Sequence, residues 1–177
     1  MFKYAVIYIV LLFFSIKSVY AISINKIFIK GNQRIDSSTI LSYLNIKKNK
    51  EISEEDLNAA FKDLFATELF SDISFDFKND SLFITVVENP IINRIALEGN
   101  KRIEDDDILS EIFLNPRDIF TLNKVKNSLQ TILGIYRGNG RYAAIVEPKV
   151  IYLEQNRVDL IFEIEEGPLS KIKFINF

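Results

Sequence analysis

Apolar and polar residues alternate over residues 24–30, the pattern of a strand with one face buried. Gly31-Asn32 then reads as a turn, with glycine free to take positive φ. Residues 36–38 can cap a short helix carrying Ile40, Leu41 and Leu44. Ser53 and Asp56 have the spacing of a capping box, with Asp in place of the usual Glu or Gln. They open a second helix in which Leu57, Ala60, Phe61, Leu64 and Phe65 keep the i, i+3, i+4, i+7, i+8 spacing of one buried face. Ile73, Phe75 and Phe77 alternate as a strand, Asn79-Asp80 turns, and residues 82–87 return. The order is βααββ, an α+β unit that can lay a helix pair on one sheet face.

The same order comes twice. Ile24-Asn25-Lys26-Ile27 through Gly31-Asn32-Gln33-Arg34-Ile35 recurs 68 residues later as Ile92-Asn93-Arg94-Ile95 through Gly99-Asn100-Lys101-Arg102-Ile103. Ile40, Leu41 and Leu44 map on Ile108, Leu109 and Ile112. Leu57, Phe61, Leu64 and Phe65 map on Val125, Leu129, Ile132 and Leu133, so Phe61 and Leu129 should fill equivalent buried positions. The second copy predicts a strand at 92–98, helices near 104–114 and 122–137, and strands near 142–152 and 158–165. Lys171-Ile172-Lys173-Phe174-Ile175-Asn176 starts the pattern a third time. A lone strand would have no sheet to join, so the sequence reads as the front of something longer. The units fall at 22–90 and 91–168, with 169–177 as the first strand of a third. Pro90 and Pro168 end each unit with almost no linker, which should restrict the angle between neighbours.

Ahead of the repeats stand Lys3, an apolar run over 4–16, and Val19-Tyr20-Ala21. That is a signal peptide over 1–21, with cleavage expected between Ala21 and Ile22. The apolar run is too short for a spanning helix, which needs about 20 residues. Loss of Lys3 and Lys17 takes the net charge from −2 to −4. Neither value suits a general nucleic-acid binder.

Composition removes most catalytic chemistry. The chain has 0 Cys and 0 His, which excludes disulfides, thiol nucleophiles, the usual triads and most transition-metal sites. Gly138-Asn139-Gly140-Arg141-Tyr142-Ala143 matches G-x-G-x-x-A, but a helix precedes it and a strand follows, the reverse of a dinucleotide site. A glycine C-cap and turn is the better reading. Glu104-Asp105-Asp106-Asp107 lacks the Gly and distal Glu of a calcium loop, and acidic residues favour a helix start. Asn79-Asp80-Ser81 fits a glycosylation sequon but falls in the tight turn. No enzyme, cofactor or metal is implied. The chemistry left is backbone hydrogen bonding at a sheet edge. Pro148 marks one edge: it falls inside the strand expected over 142–152, and proline cannot donate in a central ladder. An open edge is either an aggregation liability or a docking site for another strand.

Three stretches carry a family resemblance. They are residues 63–73 (Asp63-Leu64-Phe65-Ala66-Thr67-Glu68-Leu69-Phe70-Ser71-Asp72-Ile73), the joint Val86-Val87-Glu88-Asn89-Pro90-Ile91-Ile92-Asn93-Arg94-Ile95, and Tyr136-Arg137-Gly138-Asn139-Gly140-Arg141-Tyr142-Ala143-Ala144. With the two Gly-Asn turns, they resemble the tandem polypeptide-transport-associated (POTRA) domains of the BamA family of outer-membrane β-barrel assembly factors. The resemblance covers residues 22–177. It implies three-stranded mixed sheets with two helices on one face, lying in the periplasm ahead of a membrane barrel. It also implies two kinds of partner, assembly lipoproteins and unfolded outer-membrane protein precursors, the latter received by strand addition along the second strand. Here that strand would offer Asp72, Ile73, Ser74, Phe75, Asp76 and Phe77 in the first repeat. In the second it would offer Tyr142, Ala143, Ala144, Ile145, Val146 and Glu147. The outer membrane would be reached through a C-terminal barrel that this chain lacks. Glu68 stands where the family has Gly, so the first repeat's helix should end without a left-handed cap. Two full repeats stand where the family usually has five. The alternative reading is the POTRA region of a two-partner-secretion transporter, against which the third strand pattern speaks.

Overall fold

A computed structural model of the chain describes residues 22–44 and 51–171. The expected signal segment, its cut at Ala21–Ile22, and the third strand pattern beyond Lys171 lie outside the described residues. In chain order the elements are β1 (Ile22–Ser23), β2 (Lys26–Lys30), α1 (Ser37–Leu44), β3 (Glu51–Ile52), α2 (Glu54–Ala66), β4 (Phe70–Lys78) and β5 (Ser81–Glu88). The second repeat gives β6 (Ile91–Glu98), α3 (Asp105–Glu111), α4 (Leu122–Gly138), β7 (Ile145–Leu153) and β8 (Arg157–Glu165). The strand orders are β2-β5-β4 and β6-β8-β7. In each sheet the last strand is central, parallel to the first and antiparallel to the second. These are the expected mixed sheets of a βααββ repeat.

Each sheet buries one face under its helices. Ile40, Leu57, Leu64, Ile73, Leu82 and Ile84 are core in the first repeat; Ile108, Val125, Ile132, Tyr136, Leu160 and Phe162 are core in the second. Ser53 and Asp56 make both halves of the capping box at the start of α2. The glycine turn after each first strand is forced by contact. Gly31 has φ +86°, and a Cβ there would lie 2.1 Å from the Val86 carbonyl oxygen of β5; Gly99 (φ +92°) meets Ile164 of β8 in the same way. A buried carboxylate completes the turn: Glu88 Oε1 accepts the N–H groups of Gln33, Arg34 and Ile35 at 2.7–2.9 Å. Glu166, its counterpart, accepts from Arg102 N–H at 2.7 Å and from the Tyr136 hydroxyl at 3.4 Å. Burial first, then the Glu166 charge, pushes the Tyr136 phenol up to about 12.

The structure revises four expectations. Phe61 is 37% exposed and Leu129 half-buried, so they are not equivalent core positions. The reason is the width of the stripe. Leu57, Ala60 and Leu64 face the sheet, whereas Phe61 and Phe65 lie on the flank of α2. Tyr142, Ala143 and Ala144 form a turn, and β7 begins only at Ile145. Helix α4 ends in paired bonds, Arg141 N–H to Tyr136 and Gly140 N–H to Arg137, around Gly140 at φ +76°, which steers the chain into that turn. Glu68 does adopt the left-handed conformation, at φ +58°. Asn89 Nδ2 donates to its carbonyl at 2.7 Å and Lys124 pairs with its carboxylate at 3.0 Å, so the strain is offset by contacts glycine would not need. Finally, α3 ends at Glu111, three residues short of the expectation, because Ile112 turns extended (ψ 140°).

A ribbon that the sequence did not reveal pairs Ile22 with Ile52 between β1 and β3. Its equivalent in the second repeat is the Ile91–Ile119 bridge. Both are too short to show a period. Among the described residues no helix is long and apolar enough to cross a membrane, which says nothing of a β-barrel.

Candidate functional site

The second strand is an edge in both sheets, nine residues long in each. The first strands are poorer edges. Strand β2 has five residues, and in β6 the backbone at Ile91 and Ile92 is engaged by the segment before α4: Ile92 N–H bonds to Asp118 and Arg117 N–H to Ile92. Strands β4 and β7 therefore present the longest open ladders among the described residues.

Pro148 sits inside β7, opposite Phe162 in an unbroken antiparallel register. A residue without N–H fits there only if its nitrogen faces away from β8. The repeat carries this assignment to β4. Phe162 and Ile84 are equivalent central residues, paired with Leu97 and Ile29 on one side and with Pro148 and Phe75 on the other. Phe75, with Ile73 and Phe77, thus turns its N–H and C=O outward, while Asp72, Ser74 and Asp76 face β5; the Ile73 N–H donates to the Asp72 carboxylate at 3.0 Å.

Side chains along β4 divide by face. Ile73 is buried and Phe75 and Phe77 half-buried on the helix side; Asp72, Ser74 and Asp76 are exposed on the other. Of the residues expected at the second edge, Ile145, Val146 and Glu147 lie on β7, with Val146 buried and the other two exposed. Tyr142, Ala143 and Ala144 precede the strand and offer it no ladder. On the outer face, Lys149 pairs with Glu163 at 2.9 Å, which raises the Lys149 pKa. Asp159 accepts from Asn93 at 2.7 Å and Arg94 at 2.6 Å, which lowers its own.

Sequence reading placed the joint between the repeats but missed the cleft beside it. The strand end at Phe70 and Ser71 opens into a cleft of about 440 Å³ between the two units. Phe65 and Val87 line it from the first repeat, and Phe120, Leu122 and Tyr152 from the second. Glu68, which also lines it, pairs with Lys124 of the second repeat at 3.0 Å. Asn156 Nδ2 donates to the Glu88 carbonyl, and Phe120 N–H to Pro90, tying the units across the joint. The available signal was Ile119 and Leu122 at the entry to α4, where the first repeat has Glu51 and Glu54.

Comparison with known proteins agrees with this architecture. A family model described as "POTRA: Surface antigen variable number repeat" matches residues 22–89 and 90–167. The outer membrane protein assembly factor BamA of Neisseria meningitidis serogroup B is 30% identical over 158 residues, covering 88% of this chain and 20% of that protein. BamA of Neorickettsia risticii is 26% identical, covering 89% and 21%. The chain spans about a fifth of the length of these relatives. Among solved structures, the N-terminal domain of Omp85 from Thermosynechococcus elongatus superposes with a TM-score of 0.57 at 15% identity, over 81% of this chain and 62% of that one. POTRA1-2 of the periplasmic domain of Omp85 from Anabaena gives 0.52 at 13%, over 86% and 100%. At these identities the structural likeness speaks for the fold.

Proposed function

The chain belongs to the POTRA family, and from that premise we propose that its two repeats are the periplasmic receiving region of a BamA-type outer-membrane assembly factor. They hold unfolded β-barrel precursors by strand addition along β4 and β7. One observation carries the reading: each repeat leaves a nine-residue second strand open while the first strand is short or engaged. Strand addition draws its affinity from main-chain hydrogen bonds and leaves side-chain sequence weakly specified. That suits a factor serving many unrelated precursors. Assembly lipoproteins are the second class of partner, and insertion itself falls to a membrane barrel in the same assembly factor. No catalytic step is required of these repeats.

Photo-crosslinking in cells tests the reading. A photoreactive residue at Ser74 or Glu147, both exposed on the edge strands, should capture barrel precursors. One at Asn127, on the outer surface of α4, should capture far less. Equal capture from all three positions would overturn the assignment.

A further inference from the structure

The first repeat carries a row of aromatic side chains that the second does not reproduce. Phe75 of β4 meets Phe61 of α2 edge-on at 5.9 Å, and Phe61 stacks on Phe65 at 6.0 Å between centroids. Phe65, 50% exposed, is also a wall of the inter-repeat cleft. An apolar track therefore runs from the middle of the open edge to the cleft without a break. The equivalent second-repeat positions are Leu129, Leu133 and Pro148. The cleft lies in the size range of ligand pockets, about 300–1,000 Å³. On the opposite face of β4, the exposed Asp72 and Asp76 are acidic, with Lys78 on the same face at the strand end far from the cleft.

We propose that this track selects one kind of occupant: an extended partner segment that is apolar on one face, cationic on the other, and ends in a bulky apolar residue seated in the cleft. The inference rests on the strand-addition reading and narrows it to the first repeat. The helix-side residues of an added strand would lie over Phe75, Phe61 and Phe65. Its other face would meet Asp72 and Asp76, where opposite charges across a strand pair are favourable and like charges are not. Strand β4 begins at Phe70 in the cleft wall, so only one end of the added segment reaches the pocket.

The test titrates the chain with synthetic nine-residue peptides in which Val alternates with Lys, carrying Trp or Ala at either end. Trp at one end should tighten binding roughly 10-fold over Ala, and Trp at the other end should give no gain; that factor corresponds to about 1.4 kcal/mol. Leu122→Ser and Tyr152→Ser, both at exposed cleft positions, should abolish the Trp gain while leaving the Ala peptide's affinity unchanged. Replacing Lys by Glu in the peptide should weaken binding, and Asp72→Lys with Asp76→Lys should restore it. If the Trp and Ala peptides bind β4 alike and the cleft variants change nothing, the track is overturned and strand addition stands. If no peptide shifts the β4 amides, both fall.

Discussion

Single residues decide the geometry of each repeat through a few contacts that admit no substitute. Gly31 is the clearest. Alanine there would hold a strained positive φ, costing roughly 1–3 kcal/mol, and its Cβ would strike the Val86 carbonyl as well. Gly134 is the contrast: it lies inside α4, and a Cβ added there would meet nothing within 4 Å. Gly134→Ala should raise stability by about 0.5–1 kcal/mol while Gly31→Ala lowers it, read from urea midpoints. Tyr136 predicts a pH response. Its folded pKa of about 12 lies above the ordinary tyrosine value of 10.0, so the folded state holds the proton more tightly. Stability from this group is full below pH 10 and declines as pH rises from 10 towards 12, by at most about 1.4 kcal/mol per pH unit. Tyr136→Phe should flatten that alkaline decline in thermal scans and leave the neutral range without a comparable slope.

Elements were legible where burial has a period. The strand over residues 24–30, the α2 stripe and the return over 82–87 all stood out because a two-fold or 3.6-fold repeat reports a buried face. Ends and flanks were less so. The α2 stripe names five apolar positions, yet the sheet covers only the three facing it, because β4 is an edge with no strand beyond it among the described residues. Phe61→Ala should therefore cost about 1–2 kcal/mol, below the ~3–5 kcal/mol of a fully buried phenylalanine. Leu64→Ala, at a fully buried position, should cost ~2–5 kcal/mol. Denaturant midpoints in the opposite order would show that the flank of α2 is covered after all. Tyr142-Ala143-Ala144 read as strand from the repeat pattern, but the glycine-closed end of α4 sets their conformation.

At the scale of the whole molecule, the duplicated pattern announced two units and a short joint, but not the cleft between them. The cleft is lined by side chains from both repeats, and no periodicity within one unit can reveal that. The candidate edge was half legible: Pro148 identified it, and the register then assigned the outward-facing backbone of β4 to Ile73, Phe75 and Phe77. The central claim, strand addition at the second-strand edges, is tested most directly by following backbone amide shifts while an unfolded barrel-strand peptide is titrated in. The account predicts the largest shifts at Ile73, Phe75 and Phe77 in β4, and at Val146 and Val150 in β7. Shifts confined to α1–α4, with both edges unmoved at saturating peptide, would contradict it.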